Sequence, residues 1–313
     1  MAITGIDAVV YSVNDMQKSR RYFTDWGLRK AKSGKTESIL TTANGAEVVL
    51  RTTAKNMPPA IEHGATLREI IWRVSAKKDI RDIQKELSKD REVTTDKGGV
   101  LHSVDDLGLG IAFRVRKADY LDQPEPPMNS PISINRVDKR ATYYDRAQPL
   151  TIGHCVLMAP DVKKMERFYT ERLGFCVSDY YTGRGVFLRC SPRGAHHNLF
   201  FLESEDGAAK LNHVAFGVRD IHEMFAGGAH HQAQGWKTQI GPGRHHISSC
   251  YFWYFDCPAG GATEYFCDED FLTENWKPGH WNPAPETFAE WVLAKGLSRS
   301  KALPPTREKR DVS

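Results

Sequence analysis

Apolar and polar positions along this chain follow a rhythm that is played twice. Residues 5–28 (GIDAVVYSVNDMQKSRRYFTDWGL) run from a short apolar stretch through Asp15 into an amphipathic segment closed by Gly27. Residues 152–175 (IGHCVLMAPDVKKMERFYTERLGF) do the same, with Asp161 and Gly174 in the matching places and Phe168-Tyr169-Thr170 matching Tyr22-Phe23-Thr24. Counted from Asp7 to His154, the period is near 147 residues. The pattern predicts strand, helix, strand. Val162, Met165, Phe168, Tyr169 and Leu173 recur at helical spacing. Asp161 is placed to cap the start of that helix and Gly174 to stop it. Strands are expected at 185–190 and 198–202, with turn residues between.

Each half holds a fainter second copy of the unit. Residues 67–80 (LREIIWRVSAKKDI) and 211–221 (LNHVAFGVRDI) are apolar runs leading into Asp-Ile and a candidate helix. Gly-bounded strands follow at 110–115 and 261–266. Four units of one helix and a few strands are therefore expected. Paired, they make two domains, 1–135 and 145–270, whose sheets curl around an interior. Pro124, Pro126, Pro127 and Pro131 mark the linker. Residues 271–313 form an extension, with a mobile basic end expected from about Ser298.

Composition narrows the function classes. At 313 residues, with 40% hydrophobic and 26% charged positions, the chain can bury two ordinary cores. Its 43 basic and 39 acidic residues leave a net charge of +4, too balanced for a nucleic-acid binder. No apolar run reaches the roughly 18 residues of a membrane span. The first residues lack the basic and apolar regions of a signal peptide, so a cytoplasmic protein is expected. The six cysteines include no CxxC pair and read as free thiols.

Duplication supplies an internal control. His154 stands opposite Asp7, His213 opposite Glu69 and Glu264 opposite Phe113. The second half alone offers two imidazoles and a carboxylate at strand positions of three segments, each among apolar neighbours. A lone His on an apolar strand is usually a hydrogen-bonded core histidine, and a lone Glu usually faces solvent. Together the three match the two-His, one-carboxylate face favoured by non-haem Fe(II). Nine of the twelve histidines fall between 154 and 246, which places the site in the second half. His196 and His246 read as surface loop, and His230-His231 as a solvated helix end. Phe252 and Trp253 read as core strand. Arg189 and Ser248 hint at a ligand substituent bearing oxygen.

The segment GRHHISSCYFWYFDCPAGGATEYF (243–266) resembles the signature of type I extradiol ring-cleavage dioxygenases of the vicinal oxygen chelate superfamily. The resemblance covers about residues 1–270. It implies an α+β fold of two domains, each of two βαβββ modules forming a curled mixed sheet around a cavity. It makes His154, His213 and Glu264 the ligands of Fe(II), with Mn(II) the second choice. It makes His197, His245 and Tyr254 catalytic, and Val156, Phe187 and Ile247 the pocket lining. A catechol-type substrate, O2 and a homo-oligomer follow from the same likeness. Ile247 and the long loop 191–195 depart from the pattern and bear on the substrate. Two alternatives stand beside this reading. One is another metal-dependent enzyme of the superfamily, a glyoxalase-like isomerase or thiol transferase. The other is a non-catalytic aromatic-binding protein of the same fold.

Overall fold

The computed structural model describes residues 2–54, 57–119, 121 and 128–293. The expected mobile basic end and the linker residues Pro124, Pro126 and Pro127 lie outside the described residues. No helix among the described residues is long and apolar enough to cross a membrane.

Four βαβββ units appear in order. The first is β1 (Ile3–Val13), α1 (Met16–Asp25), β2 (Arg29–Ser33), β3 (Glu37–Thr41) and β4 (Glu47–Thr52). The second is β5 (Thr66–Val74), α2 (Lys77–Leu87), β6 (Thr94–Thr95), β7 (Leu101–Val104) and β8 (Gly110–Val115). The third is β9 (Thr151–Ala159), α3 (Val162–Arg167), β10 (Cys176–Tyr181), β11 (Gly185–Arg189), the short β12 (Gly194–Ala195) and β13 (Leu199–Glu203). The fourth is β14 (Lys210–Gly217), α4 (Ile221–Ala233), β15 (Thr238–Arg244), β16 (Tyr251–Asp256) and β17 (Ala262–Cys267). The extension adds β18 (Phe271–Leu272), β19 (Gly279–Trp281), α5 (Pro285–Phe288) and β20 (Trp291–Val292).

The first half makes an eight-stranded mixed sheet in the order β2-β3-β4-β1-β5-β8-β7-β6. The second repeats it as β10-β11-β13-β9-β14-β17-β16-β15, with β19 and β20 added at its two edges. The extension thus supplies the partners that edge strands otherwise lack. It also holds the long loop 191–195, since β12 pairs with β18.

Local chemistry explains the helices. Asp15, Asp161 and Asp220 each accept a backbone N–H three residues on, at 2.8–2.9 Å. At the expected stop of the third-unit helix, Gly174 has φ +76°, a conformation glycine adopts freely. That helix is not uniform, however. After Arg167 it widens into π turns over Phe168–Arg172.

The first helix of each half packs on the other half. Tyr22 on α1 bonds Thr263 on β17 at 2.5 Å, and Trp26 stacks on Tyr265 at 3.5 Å. Reciprocally, Tyr169 in the π turns donates to Asp105 at 2.8 Å, and Phe175 meets Trp72 edge-on at 5.1 Å. One large core cluster therefore runs through both halves, on the helix-facing sides of the sheets. The inner faces are left for the site.

Candidate metal centre and its pocket

Three strands bring the expected ligands together. His154 on β9 pairs across to Ala215 on β14, and Ala215 pairs to Glu264 on β17. His213 lies two residues before Ala215, on the same inner face. His154 Nε2 and His213 Nε2 lie 3.0 and 3.1 Å from Glu264 Oε2, and 3.4 Å from each other. All three residues are buried. Three donor atoms thus point at one spot, where two ring nitrogens face each other. His213 Nδ1 is engaged at 2.7 Å by Asn212 Oδ1, which leaves the His213 Nε2 lone pair directed at that spot. Burial, then the neighbouring His197, pushes His154 down to about 4, so its ring is neutral near pH 7. Burial alone would raise the Glu264 carboxyl, but the close imidazoles of His154, His213 and His245 hold it well below the usual range. Its second oxygen, Oε1, is buried without a hydrogen-bond partner. Two imidazoles and one carboxylate, with that oxygen unpartnered, fit a divalent transition metal.

The same register corrects two of the sequence equivalences. In the first half Ile71 pairs with Ala8 and Ala112. The counterparts of His154 and Glu264 are therefore Ala8 and Ala112, not Asp7 and Phe113. The 147 counted from Asp7 to His154 is one more than the 146 that separates Asp15 from Asp161, and a slip of one residue in a strand changes the face. Glu69 opposite His213 holds.

Around the centre, a cavity of about 300 Å³ is lined by His154, His213, His197, His245 and Tyr254 at one end. Val156, Phe187 and Ile247 line it too, so every expected pocket residue is present there. His245 Nδ1 donates to the Phe288 carbonyl at 2.7 Å, so its Nε2 accepts from the Tyr254 hydroxyl at 2.9 Å. Burial raises Tyr254 well above the usual phenol value, keeping the proton in place. The His197 ring lies 4.0 Å from that of His154, centroid to centroid. Burial, then His196, pushes His197 well below the ordinary imidazole value.

Other sequence readings need correction. His196 is fully buried, not a surface loop residue. Its Nε2 meets Asp179 at 3.1 Å and its Nδ1 meets His197 Nδ1 at 3.1 Å. His231 is also buried, boxed by Tyr22, Trp26, Trp236 and Phe255. His246 is exposed, as expected. Phe252 and Trp253 are fully buried, but on opposite faces: Phe252 stacks on His245 at 4.0 Å, whereas Trp253 joins the main core. Arg189 points away from the cavity to the Val177 carbonyl at 2.7 Å and to Ser178 Oγ at 3.1 Å. Glu269 was missed altogether. It is nearly buried, contacts His197 Nδ1 at 3.1 Å, and burial raises its carboxyl to about 7. Asn212 was missed as well, although it directly precedes His213.

Comparison with known proteins bears on the fold. Residues 151–264 match the model of the Glyoxalase/Bleomycin resistance protein/Dioxygenase superfamily. That match covers 114 of the 313 residues, and over it the chain is similar to the vicinal oxygen chelate superfamily. Within it, the likeness runs to extradiol dioxygenases. The chain is 30% identical over 148 residues to Metapyrocatechase 2 of Cupriavidus necator, a match spanning 47% of this chain and less than half (45%) of that relative. Among solved structures, it resembles the Mn(II)-bound glyoxalase from Novosphingobium aromaticivorans with a TM-score of 0.74, 23% identity and 97% of each chain covered. It also resembles 2,2',3-trihydroxybiphenyl 1,2-dioxygenase from Sphingomonas wittichii, with a TM-score of 0.70, 18% identity and 95% of this chain and 100% of that one covered. At such identities these structures speak for the fold.

Proposed function

We propose that the chain is an Fe(II)-dependent extradiol dioxygenase that opens a catechol-type ring with O2 and places both oxygen atoms in the open-chain product. The observation that carries this reading is the buried trio His154, His213 and Glu264, whose two imidazoles line one cavity together with Tyr254, His245 and His197. These three ligands would hold the ion. Once bound, the ferrous ion supplies Lewis acidity toward two adjacent ring hydroxyls and an electron route to O2. Mn(II) is the second choice for the same donors.

The chain's own residues do the rest. Tyr254 presents a protonated hydroxyl already bonded to His245 Nε2. The pair can hold one substrate oxygen and carry its proton. His197 Nδ1 is engaged by Glu269 and His196, so Nε2 is the atom left to take a proton from the substrate. Val156, Phe187 and Ile247 hold the ring and keep water out.

His197→Phe is expected to retain its iron and lose turnover by about 100-fold or more. Full activity in that variant would remove His197 from the reaction. A glyoxalase-like isomerase or thiol transferase would use similar donors without consuming O2, and a non-catalytic binder would turn nothing over. An oxygen electrode with a catechol separates both from the proposal.

A further inference from the structure

We infer that the substrate of this cavity carries an uncharged, apolar ring substituent, an alkyl or aryl group, and that catechols bearing a carboxylate are refused. The inference rests on the dioxygenase reading for the hydroxyl pair and on the cavity wall for the substituent.

Beyond the histidines and Tyr254, the wall is built from a cross-strand row. Phe200 on β13 pairs with Val156 on one side and with Phe187 on the other. The two phenyl rings stack at 3.9 Å with planes 5° apart. Gly185 makes room for this, because a methyl group there would collide with the Phe200 ring. Ile240 from β15, Ile247 from the turn after it and Phe288 from α5 complete the apolar lining.

The polar groups in the lining are neutral, and several are already spent. Asn212 Oδ1 is taken by His213 Nδ1. Ser248 Oγ contacts Cys250 Sγ at 3.3 Å. Thr287 Oγ1 lies 2.8 Å from the carbonyls of Asn282 and Ala284. No Lys, Arg, Asp or Glu is among the described residues that line the cavity. The arginine that the sequence placed nearby, Arg189, is tied to backbone oxygens elsewhere. A substituent carboxylate would therefore lose its water and meet no cation. An apolar group of the same size would instead be desolvated against aromatic and aliphatic surface.

The test compares two near-isosteres, 3,4-dihydroxyphenylacetate and 4-propylcatechol. Each is titrated calorimetrically into the Fe(II)-loaded protein without oxygen, so binding is read without turnover. The propyl compound is expected to bind at least 100-fold more tightly. Equal binding, or tighter binding of the acid, overturns the inference. Leu202→Arg puts a cation on the half-buried rim of the same wall. It should narrow the gap at least tenfold, and an unchanged gap also overturns the inference. Absent O2 uptake with a compound that does bind would count against the dioxygenase reading alone.

Discussion

Where His154, His213 and Glu264 converge in the second half, the first half places Ala8, Glu69 and Ala112 at the same register positions. Across from Glu264, β16 supplies Tyr254; across from Ala112, β7 supplies His102. The lone Glu69 carboxylate is then satisfied by His102 at 2.8 Å rather than by a shared ion. The row Val156, Phe200, Phe187 has the counterparts Val10, Val49 and Ile39. Those aliphatic side chains close the first interior into a small packed cluster with Ala8 and Ala112. Identical pairing therefore gives a filled core in one half and an open, ligand-lined cavity in the other. Backbone topology sets where inner-face side chains meet; their chemistry decides whether the meeting place is a core or a site.

A second contrast lies at the start of β1 and β9. The first half buries Asp7 against Arg73 at 3.1 Å and against Arg114. The corresponding positions of the second half are Gly153, Gly217 and Phe266, and the Phe266 ring lies 5.1 Å from that of His154. An ion cluster supports one inner face, and a phenyl ring on two glycines supports the other.

Breaking the first arrangement should cost most. Asp7→Ala leaves Arg73 buried without its carboxylate and is expected to destabilise the chain by about 3–5 kcal/mol, read by chemical denaturation. Metal binding in the second half should persist under native conditions. Gly153→Ala attacks the other arrangement, because its methyl would overlap Phe266. A loss of about 1–3 kcal/mol is expected, together with weaker metal binding as the displaced ring presses on His154. A variant with wild-type stability and metal affinity would show that the glycine is not needed for close packing.

The mildest test concerns the bond between the halves. Burial raises Asp105 to about 6, against the hydrogen bond from Tyr169. The folded pKa lies above the unfolded one, so the folded state binds the extra proton and stability falls as pH rises from about 4 to 6. The slope is up to about 1.4 kcal/mol per pH unit. Asp105→Asn should keep the fold and flatten this part of the profile, as followed by thermal unfolding. An unchanged slope would assign the dependence to other groups.

Much of this was legible in the sequence because the relevant signals are local. The four modules show in apolar runs followed by capping aspartates and stopping glycines. The proposed ligands show because His154, His213 and Glu264 interrupt apolar strands, and the segment around Tyr254 adds a specific pattern. What was hidden depends on long-range contact. Asp179 meets His196 from 17 positions away, and Glu269 meets His197 from 72. No periodicity announces such pairs, so a fully buried His196 looked like loop. A one-residue slip in counting, visible only once the strands are paired, set Asp7 and Phe113 opposite His154 and Glu264. The crossing of α1 and α3 onto opposite halves turned two expected cores into one.

Metal analysis after anaerobic loading with Fe(II) tests the central claim most directly. The wild-type chain should hold one iron per molecule and Glu264→Ala essentially none, with the fold of the variant intact by circular dichroism. Equal iron in the two proteins would contradict the assignment of His154, His213 and Glu264 to a single ferrous centre.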